Sequence, residues 1–172
     1  MQLQDYASAE KDLYAAIKQS RKSYTVYRTL YSALEAQDKD DEAKQVLNDA
    51  LQLSGSSSED YYNRGMIYVD LQDYTNAADM LNKSYDKGYK AALLGLGEVS
   101  YTQQDYDTAL TYYGKYFDEV DISSVDASLA AKAYNQYAAV LLAKGEYEKA
   151  AQACESGLTY NDRESDAALS FN

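Results

Sequence analysis

Gln72-Asp73-Tyr74-Thr75-Asn76-Ala77-Ala78 is one of five versions of a single short run. The others are Gln4-Asp5-Tyr6-Ala7-Ser8-Ala9, Gln104-Asp105-Tyr106-Asp107-Thr108-Ala109, Gly145-Glu146-Tyr147-Glu148-Lys149-Ala150 and the degraded Lys39-Asp40-Asp41-Glu42-Ala43. Taking Ala9, Ala43, Ala77, Ala109 and Ala150 as anchors, the successive spacings are 34, 34, 32 and 41 residues. A period of this size is the mark of a repeat architecture.

Each period holds two helices. Before Ala77 by 16, 13, 12 and 9 residues stand Tyr61, Arg64, Gly65 and Tyr68, which share one face at 3.6 residues per turn. The same offsets give Tyr27, Leu30, Tyr31 and Leu34 in copy 2, Leu93, Leu96, Gly97 and Ser100 in copy 4, and Tyr134, Tyr137, Ala138 and Leu141 in copy 5. A small residue in that row lets a second helix approach closely. Asp5, Asp73, Asp105 and Glu146 then suit the N-terminus of a second helix, by capping and by the helix dipole. Four residues past each anchor lies Leu13, Leu47, Leu81, Tyr113 or Cys154, and three further on Ala16, Ala50, Ser84, Tyr116 or Gly157.

The spacing predicts helices at about 5–19, 23–37, 40–53, 59–71, 74–86, 90–103, 106–118, 124–144 and 147–159, with another from about 165. Ser54-Gly55-Ser56-Ser57-Ser58 and Asp86-Lys87-Gly88 are the interruptions. Ser58 followed by Tyr61 does not make a capping box. The 41-residue spacing predicts a longer loop over Asp118–Ser124 and an extended following helix.

Composition agrees with a helical array and narrows the function. The 172 residues are 46% hydrophobic, with no proline and eight glycines. Twenty tyrosines stand against two phenylalanines and no tryptophan, so tyrosine takes the bulky core role. The net charge of −12 argues against nucleic acid and anionic membrane surfaces as partners. No apolar run approaches the ~20 residues of a membrane span. There is no histidine, and Cys154, the only thiol, falls on the predicted core face. No phosphate loop, HExxH or Cys/His metal cluster is present, so no enzyme, cofactor or metal role is read from the chain.

These residues resemble the tetratricopeptide repeat family, a 34-residue helix-turn-helix unit. Gly65/Tyr68/Tyr74/Ala77, Leu96/Gly97/Tyr106/Ala109 and Ala138/Leu141/Tyr147/Ala150 match its pattern best. The proline that often closes the family's repeat is absent, and copy 2 has Asp40 in place of the aromatic after the turn. The resemblance implies an all-α, right-handed superhelical solenoid as one array. Its parts would be a half repeat at 1–22, repeats at 23–57, 58–89, 90–121 and 122–162 (the last with an extended first helix), and the start of another at 163–172. Both ends look cut, so the chain is expected to be part of a longer protein, or to stack on neighbours through its ends.

In the family, successive first helices line a concave surface that receives partner peptides. Offsets of −15, −11 and −8 from each anchor point away from the core stripe. They give Arg28, Ser32 and Glu35; Tyr62, Met66 and Val69; Leu94, Glu98 and Tyr101; and Asn135, Ala139 and Leu142. With Asn63, the resemblance implies a peptide-binding groove lined by Arg28, Ser32, Tyr62, Asn63, Met66, Glu98, Tyr101 and Asn135. For Tyr62, Met66 and Val69 a second reading stands, that they pack on adjacent helices. One subfamily grips C-terminal carboxylates with Lys, Asn and Arg. Ser32 stands where such a clamp has asparagine, and Ala91 and Gly95 stand where two cations are needed, so no clamp is expected.

The function expected is therefore a scaffold that holds a protein or peptide partner. The alternatives are an assembly module packing end to end, or an accessory part of an enzyme or regulator whose active domain lies elsewhere. The segment reads as soluble, in the cytoplasm or, with an upstream signal or anchor, outside it. Partner and pathway are not legible.

Overall fold

The structure, a computed structural model, describes residues 2–19 and 23–169, with side chains over 6–19 and 23–160. Among the described residues there are nine α-helices and no strand. They are α1 (Gln2–Lys18), α2 (Tyr24–Glu35), α3 (Asp40–Ala50), α4 (Ser58–Asp70), α5 (Tyr74–Asp86), α6 (Ala92–Thr102), α7 (Tyr106–Glu119), α8 (Ala127–Ala143) and α9 (Tyr147–Leu169). The chain divides into two compact units, Met1–Lys87 and Gly88–Asn172. In the first, α2 pairs with α3 and α4 with α5, and α1 packs on α2. In the second, α6 pairs with α7 and α8 with α9.

The recurring run is the turn inside each hairpin. Asp38, Gln72, Gln104 and Gly145, each five residues before an anchor alanine, have φ of 57°, 60°, 63° and 77°. The next residue's N–H reaches back to the first helix, as in Asp73 N to Tyr68 O at 2.8 Å and Asp105 N to Ser100 O at 2.9 Å. The inner bond accompanies it, Gln72 N to Val69 O and Gln104 N to Tyr101 O, both 2.9 Å. This is the Schellman arrangement, which satisfies carbonyls that the helix end leaves unpaired. Asp73 and Asp105 then cap the second helix by accepting from the N–H of Asn76 and Thr108.

The anchors Ala43, Ala77, Ala109 and Ala150 are all at most 1% exposed. What sets the helix separation is the pairing of the −12 and +4 positions. A Cβ on Gly65 would stand 2.7 Å from Leu81 Cγ, and one on Gly97 would stand 2.6 Å from Tyr113 Cζ. In the last hairpin Ala138 belongs to the same small core cluster as Cys154. The two glycines make room for Leu81 and Tyr113, and Ala138 is the small residue beside Cys154, whereas in the α2–α3 hairpin the same offsets hold Tyr31 and Leu47. The −10 row, Ala33, Ile67, Val99 and Val140, is also buried, which the four offsets read from sequence omit.

Several boundaries differ from those predicted, each for a local reason. The cap of α4 is Ser57, not Ser58, and with Asp60 it does form a capping box. Hydrogen bonds from the Ser57 hydroxyl and backbone hold the Asp60 pKa below the usual carboxylate value. Helix α1 already begins at Gln2, so Asp5 lies within it rather than at its start; nothing in the run before it breaks a helix. The 41-residue spacing is taken up by a 3-10 turn at Ile122–Ser124 and the 17-residue α8, which starts at Ala127 after the Asp126 cap. Helix α9 continues unbroken to Leu169 where a stop near 159 was predicted, because no glycine or proline lies between Thr159 and Leu169. Residues 170–172 lie outside the described residues.

Two predictions follow from the turn and from the helix contact. Gln104→Gly should raise stability by about 1 kcal/mol and Gly145→Ala lower it by about 1–2 kcal/mol in urea unfolding, since only glycine enters the left-handed region without steric cost. Gly97→Ala should cost about 1–3 kcal/mol by overpacking against Tyr113. Adding Tyr113→Cys, which copies the Ala138/Cys154 pair, should relieve that clash, seen as a favourable coupling in a double-mutant cycle.

Candidate functional site: the first-helix faces

Outside the core stripe, the first helices of each unit carry side chains that do not repeat. In the first unit Thr25, Arg28, Thr29, Ser32 and Asn63 line an open depression of about 320 Å³ between α2 and α4. Three residues expected in a groove, Arg28, Ser32 and Asn63, thus share one wall. Arg28 is held there by Asp70, with Nε 3.2 Å from Oδ2. The Ser32 hydroxyl donates to the Arg28 carbonyl at 3.2 Å, which is a local helix bond. Tyr62 is half-buried.

Met66 differs. It is only 4% exposed and lies in the packing, not on an open face. The same holds for Leu94, at 4%. Helix α6 is buried continuously from Ala92 to Gly97, as its apolar run requires, so its −15 position has no open side.

In the second unit the face is built around Glu98. Gln136 Nε2 on α8 donates to Glu98 Oε2 on α6 at 3.1 Å, linking two successive first helices. Tyr101, one helical turn beyond Glu98, is exposed at 38% and meets the Tyr106 ring at a centroid distance of 5.8 Å. Tyr113 lies beneath, 1% exposed. Burial, with the Glu98 carboxylate close by, pushes its phenol pKa up, so it stays a neutral hydroxyl. Behind it runs an aromatic cluster in which Phe117 stacks on Tyr134 at 4.7 Å and meets Tyr137 edge-on at 5.6 Å.

Asn135, the residue expected here, turns the other way. Its Oδ1 lies 3.4 Å from where a Cβ on Gly157 would stand, so it faces α9. Gln136, absent from the expected set, is the residue that reaches Glu98. The signal was present in the sequence: Gln136 and Asn63 both stand 14 residues before their anchor alanines, as Ser32 and Glu98 both stand 11 before theirs. In each unit the −11 residue of one first helix and the −14 residue of the next come to one place.

Among the described residues no group of three or more His, Cys, Asp or Glu is placed to hold a metal ion. Nor is any helix among them long and apolar enough to cross a membrane. Cys154 is half-buried against Ala138, Leu141, Ala150 and Ala153.

Comparison with known proteins bears on the fold. Residues 62–120, from near the start of the α4–α5 hairpin to the end of the α6–α7 hairpin, match a tetratricopeptide repeat family model. Over that stretch the chain carries tetratricopeptide repeats. Its all-α helix-turn-helix fold is shared by solved structures of low sequence identity. The crystal structure of MamA is 20% identical, with a TM-score of 0.56 over 94% of this chain and 92% of that one. The Cut9–Hcn1 hetero-tetramer of the APC/C gives 17% identity and a TM-score of 0.65 over 90% of this chain but 30% of that one. BtubC (BKLC) from P. vanneervenii gives 15%, 0.62, 94% and 75%. A sequence comparison with curated proteins finds no match. At these identities the likeness is one of fold. A tetratricopeptide repeat is in general a scaffold for protein interaction, and that much applies here.

Proposed function

We propose that the protein holds an extended segment of a partner protein on the first-helix faces, with no catalytic step of its own. The observation that carries this reading is that non-repeating polar and aromatic side chains gather on one wall of each unit while the anchors and turns repeat. A wall that met only water would be polar throughout, without the rings of Tyr62 and Tyr101. In the first unit the contact residues are Arg28, Ser32, Tyr62 and Asn63; in the second they are Glu98, Tyr101 and Gln136. Met66, being buried, shapes the wall from behind. Shape complementarity with an aromatic anchor and a few polar registers is the usual basis of such recognition. The Cut9–Hcn1 structure, an assembly of several chains, is in keeping with a scaffold role.

The test is selection of binders from a displayed peptide library, followed by titration against variants. Changing Tyr62 and Tyr101 together to Ala should weaken a selected peptide by at least about tenfold, the scale of losing about 1.4 kcal/mol of anchor contact. Unchanged binding would remove the first-helix wall as the site.

A second reading is association between copies, favoured by large apolar side chains left exposed. Tyr6 and Tyr14 on α1 are 38% and 41% exposed, and Leu142, Tyr147 and Leu158 on α8 and α9 are 51%, 70% and 57% exposed. Light scattering over a concentration series should then show mass rising with concentration. A constant monomer mass would end this reading.

A further inference from the structure

We infer that Glu98 and Gln136 form the anchor for a basic side chain, lysine or arginine, of the partner segment. The inference rests on the proposed scaffold function and names the chemistry of one of its contact points.

Four observations lead there. First, Glu98 is half-buried on the open wall, and its partner is the neutral Gln136; among the described residues no cation pairs with it. A carboxylate held by one amide keeps lone pairs to spare. Second, Gln136 Oε1 is buried without a hydrogen-bond partner. Leaving such an acceptor unpaired is unfavourable, and a stability role alone gives no reason to retain an amide there. A role in aiming Glu98 does, because the amide donates to one carboxylate oxygen and leaves the other free to accept. Third, Tyr101 stands one turn along α6 on the same face, and its tilted contact with Tyr106 leaves the ring exposed. A carboxylate beside an aromatic face suits a cation with an apolar stem, which can pair at its head and lie along the ring.

Fourth, the field around the site has one sign. Residues 88–172 carry thirteen acidic against six basic side chains. Four of those cations are already engaged: Lys90 and Lys115 with Glu119, Lys144 with Asp107, and Lys149 with Glu146. The complementary partner is therefore basic, and the unit's charge speeds its approach. The first unit's wall differs, since its arginine at the corresponding face is neutralised by Asp70. The anchor belongs to the second unit.

The test is an NMR titration of the whole ¹⁵N-labelled chain, in which the side-chain amide of Gln136 reports directly. The probes are blocked Ala-Ala-X-Ala-Ala peptides with X as lysine, arginine or norleucine. Lysine and arginine probes should shift the Gln136 side-chain amide and the Tyr101 backbone amide in a saturable way, and norleucine should not. Glu98→Gln should weaken the response by at least about tenfold, as expected for loss of a close charge pair. Glu98→Lys should lose the lysine probe and respond instead to a probe with X as aspartate, which keeps the test open if the amide variant is poorly folded. Equal response to norleucine, no response to either basic probe, or an unchanged response in Glu98→Gln would each overturn the anchor. Library-selected peptides that bind Glu98→Gln as well as the parent would overturn it too, while leaving the scaffold reading in place.

Discussion

In the α4–α5 and α6–α7 hairpins the approach of the two helices is limited by one contact, the glycine of the first helix against the side chain four residues past the anchor alanine of the second. At Gly97 the missing Cβ is replaced by the ring of Tyr113, and at Gly65 by the leucine side chain of Leu81. The rest of the hairpin follows from that separation. The anchor alanines are buried because nothing larger fits between the helices, and the −10 row is buried because the second helix lies so near.

The turn does the complementary work along the chain. A left-handed residue five before Ala43, Ala77, Ala109 and Ala150 ends the first helix, and the side chains of Asp73 and Asp105 cap the next one. Where that residue is glutamine or aspartate, backbone strain of order 1 kcal/mol is accepted in exchange for two hydrogen bonds at the helix end. Turn and contact together make each hairpin a unit whose inner surface is committed to packing. Only the remaining face of the first helix is left to vary, and its side chains vary from copy to copy.

That face carries chemistry of two kinds. In the first unit a cation is paired with its own carboxylate beside hydroxyl and amide groups. In the second, a carboxylate is aimed by an amide and flanked by an exposed tyrosine. Both arrangements come from the same register, the −11 residue of one first helix meeting the −14 residue of the next. A repeat protein thus places different side chains at equivalent points without altering the scaffold that presents them.

The sequence by itself determined the repeat, the helix pairs, the inward alanines and the turns, because these depend on local periodicity and on small and large residues recurring at set offsets. It also grouped Arg28, Ser32 and Asn63, which line one depression of the first unit, and put Glu98 and Tyr101 on one face of α6. Only the tertiary structure decided the rest. Met66 and Leu94 lie on the nominally open side of their helices yet are buried, since helical phase says which way a side chain points and not what stands there. Asn135 and Gln136 are neighbours in sequence, and the ~100° step between them sends one toward α9 and the other to Glu98. Phase within a helix is local and can be read from residue spacing. Which of two adjacent side chains finds a partner depends on how helices distant in sequence pack, and the spacing does not contain that.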